Sequence, residues 1–287
     1  MRTDALRDDT LTLADGRRLR WCEYGDPAGQ PVVFCHGLPG SRLEHPPDSR
    51  PAAERGLRFI VPDRPGYGGT SPRPGRALGE EVADVRTLAD ELGLEAFDAL
   101  GFSGGGPHAM AIAARLPERV RRLGLISSWA PFDRAGTEGM AEANRQLWAL
   151  ARADFEAFAE TLEAAIAQAG DAYGLLVGGA PEEDRAIFED EAVAAAYRAD
   201  TEEAMRQGLA GMLEDAGAVI GSWPFAPEAI RCPARLWHGD RDANAPVTMG
   251  RWLARHLPRA ELTEWTGTGH FGLFPHWEEI LDGLTGR

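Results

Sequence analysis

FDALGFSGGG, residues 97–106, decides the fold. The run Phe97–Phe102 has the length and apolar character of a strand buried on both faces. Ser103 sits inside Gly101-Phe102-Ser103-Gly104-Gly105, a G-x-S-x-G pattern, and the spacing turns helical over Gly105–Leu116. Such a strand–turn–helix order holds a serine at a strained backbone angle, with glycines where side chains would strike the strand and the helix. The helix start aims free N–H groups at charge developing beside the serine. Ser103 is the candidate nucleophile.

Working outward, Asp15-Gly16 separates the short alternating runs Thr10–Leu13 and Arg18–Glu23, which predicts an opening hairpin. Further strand-length apolar runs follow at Val32–Cys35, Phe59–Val61, Leu123–Ser127, Ala234–His238 and Glu261–Trp265. Helical spacing fills Leu78–Leu92, Val247–Leu257 and Trp277–Leu284. Alternation of strand and helix predicts a parallel sheet covered on both faces, an α/β fold. The alternation breaks between Pro131 and Phe225, where only helical pattern and Gly/Pro breaks occur, most clearly in the amphipathic Ala153–Gln168. That segment holds 19 acidic residues against 6 arginines, a net −13 of the chain's −15. A helical insertion between two sheet strands reads as a cap over a sheet-based site. The expected division is a core of residues 1–130 plus 226–287 and a cap of residues 131–225.

Composition narrows the function. The chain's 287 residues suffice for a full core without metal or disulfide staples. All 30 basic residues are arginine, so no P-loop and no Schiff-base lysine is available. A net charge of −15 repels phosphate and argues against nucleic-acid binding. Cys22, Cys35 and Cys232 are odd in number and form no C-x-x-C pattern, which suits buried thiols in a reducing compartment. Met1–Asp9 is too charged for a signal peptide, and no apolar run approaches the ~18 residues a membrane span needs. The expectation is a cytoplasmic protein, monomer or homodimer, with no membrane partner.

His36-Gly37-Leu38-Pro39-Gly40 follows the first long buried strand. A short Gly/Pro loop there turns the Leu38 N–H toward Ser103, where it pairs with the Gly104 N–H as an expected oxyanion hole. The chemistry asks for backbone at this loop, so His36 is assigned to loop ordering.

Taken in order, HGLPG, DRPGYGGTSP (Asp63–Pro72), GFSGGG, HGDRD and a late Gly-His resemble the α/β-hydrolase superfamily in its serine-nucleophile branch. The resemblance covers nearly all of the chain outside the insertion. It implies the α/β-hydrolase fold: a mostly parallel eight-stranded sheet flanked by helices, with an all-helical cap. It also implies a triad in the chain order Ser, Asp/Glu, His. The family's G-x-x-D pattern places the acid at Asp242, with Asp240 as runner-up and Asp133 as a further alternative. The late Gly269-His270 places the base at His270, with His276 the weaker choice. His108 and His238 read as structural, and Asp63–Gly68 as scaffold beside the nucleophile.

Two apparent motifs fail. Gly267–Gly272 spells G-x-G-x-x-G, but only fifteen residues follow it and no βαβ unit holds it. Asp240-x-Asp242-x-Asn244 starts like a calcium loop, yet Ala245 and Arg251 stand where glycine and glutamate are required. No metal and no cofactor is expected.

The resemblance implies acyl transfer. Ser103 attacks a carbonyl, His270 takes its proton, Asp242 orients the imidazole, and water hydrolyses the acyl-enzyme. Dehalogenases and epoxide hydrolases of this fold carry Asp where Ser103 stands, and proline iminopeptidases usually read G-G-S-W-G there. Phe102, Trp129, Phe132, Met140, Leu147 and Trp148 are the candidate pocket walls, so the expected substrate is a small, neutral, fairly apolar carboxylic ester or lactone. A C–C bond hydrolase, perhydrolase or non-hydrolytic tailoring enzyme is the alternative, and a ligand-binding receptor the remote one.

Overall fold

The structure, a computed structural model, describes residues 5–286. Met1–Asp4, the start of the stretch read above as too charged for a signal peptide, and Arg287 lie outside them. The sheet is built from β1 Arg7–Thr12, β2 Arg18–Gly25, β3 Gln30–Cys35, β4 Leu57–Pro62, β5 Phe97–Phe102, β6 Val120–Ile126, β7 Ala234–Gly239 and β8 Ala260–Trp265. Their order is β1-β2-β4-β3-β5-β6-β7-β8. β1 and β2 form the antiparallel hairpin, β2 runs antiparallel to β4, and β3 through β8 are parallel. The eight strands are those the apolar runs mark, β5 with the same bounds as its run and the others differing by a residue or a few at their ends.

Position in the sheet follows from sequence. Every residue of β5 is buried, as a central strand covered on both faces requires. β1, RDDTLT, is charged and largely exposed, which protects an edge from pairing with another chain. Five helices flank the sheet: α1 Arg50–Glu54, α2 Val82–Glu91, α3 Gly105–Arg115, and, late in the chain, two more at Val247–His256 and Trp277–Thr285. Leu88 of α2, Met110 of α3 and Leu253 share a core on one face; Ala52 of α1 with Ile280 and Leu284 share the other. The helix predicted from Leu78 starts four residues later, because Gly79 takes a φ of 84°, outside the helical region.

Between β6 and β7 the chain adds helices and no strand. They are α4 Phe132–Ala135, α5 Glu142–Ala153, α6 Phe155–Ala169, α7 Ala172–Gly178, α8 Glu182–Arg185, α9 Glu191–Ala204 and α10 Ala210–Ile220, so the two late helices are α11 and α12. The predicted helix Ala153–Gln168 is divided at Asp154. That side chain caps α6 by accepting the Ala157 N–H at 3.1 Å, and Ala153 closes α5. No helix among the described residues is long and apolar enough to cross a membrane.

The chain leaves β3 for β4 on one side and returns to β5 on the other. The sheet order therefore reverses at the β3/β5 pair, and a crevice opens at the carboxyl ends of these two strands. Ser103 and the His36–Gly40 loop stand at that crevice.

Candidate active site

Ser103 follows directly on β5 with φ 52°, the left-handed region that a β-carbon makes costly. Its N–H donates to the Ile126 carbonyl at the end of β6 at 2.9 Å, and its own carbonyl accepts the Gly106 N–H at 3.0 Å. Gly105 lets the turn close: a Cβ there would run into the Cys35 carbonyl of β3. The serine is thus held rigidly at the head of α3, with its hydroxyl raised above the sheet.

The neighbouring groups come from distant turns. His270 Nε2 lies 2.8 Å from Ser103 Oγ, and His270 Nδ1 lies 2.9 and 3.0 Å from the two Asp242 oxygens. All three residues are buried. Asp242 Oδ1 also accepts the N–H groups of Asn244 (2.9 Å) and Ala245 (2.8 Å), which fixes the carboxylate in the loop after β7. His238, the penultimate residue of β7, sets Nε2 against the Ala245 carbonyl at 2.5 Å and stands 3.5 Å from Asp242 Oδ2. Burial pushes the Asp242 carboxyl up, but the His270 charge and hydrogen bonds from His238 and His270 outweigh it and hold it well below its ordinary range. Burial pulls His270 down, but the Asp242 charge and hydrogen bond and the Asp184 charge outweigh it, leaving the imidazole above its ordinary value.

The alternatives stand elsewhere. Asp240 is exposed and accepts the Gly267 N–H at 2.7 Å, as a turn residue. Asp133 is exposed on α4. His276 stacks on Trp265 with ring centroids 4.1 Å apart. His108 is buried beneath the site, bonded to Glu81. His36 Nδ1–H donates to the Gly37 carbonyl (3.0 Å) and Nε2 accepts the Arg64 N–H (3.1 Å), so the ring orders the loop. Asp63, the start of the DRPGYG stretch, is buried and accepts the Arg42 N–H at 2.6 Å and the Gly69 N–H at 2.9 Å.

Leu38 packs against Gly104, and neither peptide N–H is taken up by a protein acceptor among the described residues. Gly104 directly follows Ser103 in the turn. Above it lies a cavity of about 280 Å³ between the sheet and the helical segment. Phe102, Trp129, Leu147 and Trp148 line it. Phe132 and Met140 do not: both are buried behind the wall, with Phe132 packed edge-on to Trp129 at 5.6 Å. Leu162 and Ala165 of α6 and Leu175 and Leu176 of α7 complete the apolar lining.

Residues 30–276 match the family described as alpha/beta hydrolase fold. The chain belongs to the α/β-hydrolase fold family. It is 33% identical over 267 residues to a pimeloyl-acyl-carrier-protein methyl ester esterase of Chromobacterium violaceum, covering 89% of this chain and 93% of that one. A protein of the same description from Aromatoleum aromaticum is 30% identical over 238 residues, 80% of this chain and 86% of its own. Among solved structures, a hydrolase from Pseudomonas aeruginosa PA01 superposes with a TM-score of 0.72 over 99% of this chain and 100% of that one, at 22% identity, which speaks to the fold.

This α/β-hydrolase also holds polar groups that the sequence did not mark. Three buried acids of the helical segment reach into loops of the sheet. Asp184 of α8 accepts the His270 and Phe271 N–H groups at 3.0 and 2.9 Å. Asp200 of α9 accepts the Ser41 N–H (2.8 Å) and hydroxyl (2.6 Å) on one oxygen. Asp215 of α10 sits between Arg64 and Arg76. Arg64 in turn donates to the carbonyls of His36 and Gly37 (the latter at 2.7 Å), so it braces the loop that carries Leu38. Glu44 accepts the Gly37 N–H at 2.5 Å from the other side and touches the cavity. Burial and the nearby Asp200 charge push the Glu44 carboxyl well above its ordinary range. Each partner lies far away in sequence, so no local spacing announces these bonds. The one usable signal was the crowding of acids in a segment that must still pack.

Proposed function

We propose that this protein hydrolyses small, neutral, fairly apolar carboxylic esters or lactones through an acyl-Ser103 intermediate. That it is a hydrolase acting on ester bonds follows from its family and its esterase relatives. The single observation that carries the finer reading is the chain of contacts from Ser103 Oγ to His270 Nε2 at 2.8 Å and from His270 Nδ1 to Asp242 at 2.9 Å. It opens into an apolar cavity.

In this reading His270 takes the Ser103 proton as the oxygen attacks the carbonyl carbon, and Asp242 stabilises the imidazolium. The oxyanion accepts from the Leu38 and Gly104 N–H groups; losing one such donor typically costs about 10²–10³ in rate. His270 then passes the proton to the leaving alcohol. Water, deprotonated by His270, releases the acid. Residues 131–225 act as the cap that closes the cavity, and their net −13 disfavours anionic substrates during approach.

The test is turnover of p-nitrophenyl esters from acetate to decanoate by wild type and Ser103→Ala, with fluorophosphonate labelling alongside. Turnover and labelling both lost in the variant is the expected result; an active Ser103→Ala protein overturns the assignment. A second reading takes its support from the two relatives, whose descriptions place the ester on an acyl-carrier protein. It predicts labelling of Ser103 with poor turnover of every free ester.

A further inference from the structure

Asp184 is the buried acid of the cap closest to the reacting atoms that the mechanism leaves unused. It is fully buried, and its two oxygens accept the N–H groups of the consecutive residues His270 and Phe271 at 3.0 and 2.9 Å. Two acceptor oxygens used at once is the pattern of an ionised carboxylate. The preceding residue is Gly269, and a Cβ there would run into all three atoms of the Asp184 carboxyl group. Only glycine at that position lets the acid reach the backbone behind the base.

We propose that Asp184 is a positioning residue for His270: the cap, not the sheet, sets where the general base stands. The inference rests on the reading of His270 as the base. The loop Thr266–His270 leaves the edge strand β8 and crosses back to Ser103, a path that few sheet hydrogen bonds support. The bond from Arg241 N–H to the Thr268 carbonyl (3.0 Å) ties its first half to the β7 loop. The second half is held by Asp184. Packing agrees with this, because Phe271 is enclosed by Phe188 and Tyr197 of the same segment at ring distances of 5.0 and 5.2 Å. A closed cap therefore carries the imidazole into line with Ser103, and a displaced cap would release it.

The acid also acts by charge. The groups facing His270 are Asp242 from the β7 loop, Asp184 from α8 and Ser103; those facing Asp184 are His270, Asp242 and Tyr197 of α9. Both carboxylates favour the imidazolium that forms as Ser103 attacks. Asp184 does not line the cavity, so its loss acts on the chemical step and not on substrate binding.

The test compares wild type, Ser103→Ala, Asp184→Asn and Gly269→Ala in kcat, KM and the pH dependence of kcat/KM, with thermal unfolding followed in each. Asn keeps one acceptor and turns an N–H group toward the other amide. The expected result for Asp184→Asn is a fall in kcat of about tenfold to a hundredfold with KM within about twofold, and an acid limb moved to lower pH. Gly269→Ala is expected to lower kcat similarly, and to cost less than about a further threefold when added to an Asp184→Ala enzyme, in which the clash is already removed. An Asp184→Asn enzyme with unchanged kcat overturns the proposal. So does a loss of kcat with the acid limb unmoved, which would reduce Asp184 to a fold-stabilising role. Activity surviving in Ser103→Ala would instead overturn the reading of the site on which the proposal rests.

Discussion

Arg64 Nε donates to Asp215 Oδ2 at 2.7 Å, joining the loop after β4 to helix α10 inside a fully buried pocket. Arg76 meets the other oxygen of the same carboxylate, and His108 Nε2 lies 3.5 Å away. Burial pushes Asp215 up, but the two guanidinium charges outweigh it and hold the carboxyl far below its ordinary range. Asp215→Ala would strand two buried cations. We expect a loss of about 3–5 kcal/mol, read as a lower midpoint in urea unfolding. A midpoint within experimental error of wild type would show that the arginines find other partners.

Activity should rise with pH as His270 loses its proton. In the proposed mechanism the neutral imidazole accepts the Ser103 proton, so the protonated enzyme is the inactive one. The Asp242 and Asp184 charges raise the His270 pKa, which places the half-rise of kcat/KM above the ordinary value of about 6.5. A pH–rate profile checks it; a half-rise below 6 contradicts it.

Asp200 offers a stability prediction of opposite sign to Asp215. Burial pushes its carboxyl up to about 8, although its bonds to Ser41 and the Arg42 charge pull it down. A raised native pKa means the folded state holds a proton that the unfolded state releases near pH 4. This contribution to stability is full below pH 4 and is lost as pH rises toward 8. Both Ser41 bonds end on Oδ1, and Oδ2 has no partner. Asp200→Asn keeps both bonds and removes the titration. Its unfolding temperature should match wild type below pH 4 and exceed it increasingly as pH rises to 8.

Chain-length preference should respond to Ala165. This small residue of α6 lines the cavity. Ala165→Phe fills that space, so decanoate should lose about tenfold to a hundredfold in kcat/KM relative to acetate. Equal losses for all esters would mean that acyl chains lie elsewhere.

Much of this molecule was readable from its sequence, for reasons particular residues make plain. The runs FDALGF and PVVFC are apolar apart from Asp98, because strands β5 and β3 are covered on both faces. The Ser103 turn needs glycines at fixed offsets, so its signature is local. The insertion of residues 131–225 was visible only as helix. In Glu182-Glu183-Asp184 one acid is exposed, one half-buried and one fully buried, and nothing in the triplet tells them apart. What separates them is an amide 86 residues away. Phe132 and Met140 fell on the wrong side of the cavity wall for a similar reason. Both are apolar and close in sequence to residues that line it, Phe132 on α4 and Met140 in the turn before α5, and only the folded path of the chain decides which residues face inward.

The three carboxylates that the helical segment sends into loops of the sheet also bear on how such enzymes can be recombined. Crossovers at residues 131 and 225 look harmless on a strand diagram, since they cut between elements and leave the sheet intact. In this chain they would part Asp184 from its histidine loop, Asp200 from Ser41 and Asp215 from Arg64 in one exchange. A chimera bearing another hydrolase's lid would inherit a new cavity together with three orphaned polar seats. Grafting substrate range between these proteins therefore means moving the seats along with the lid.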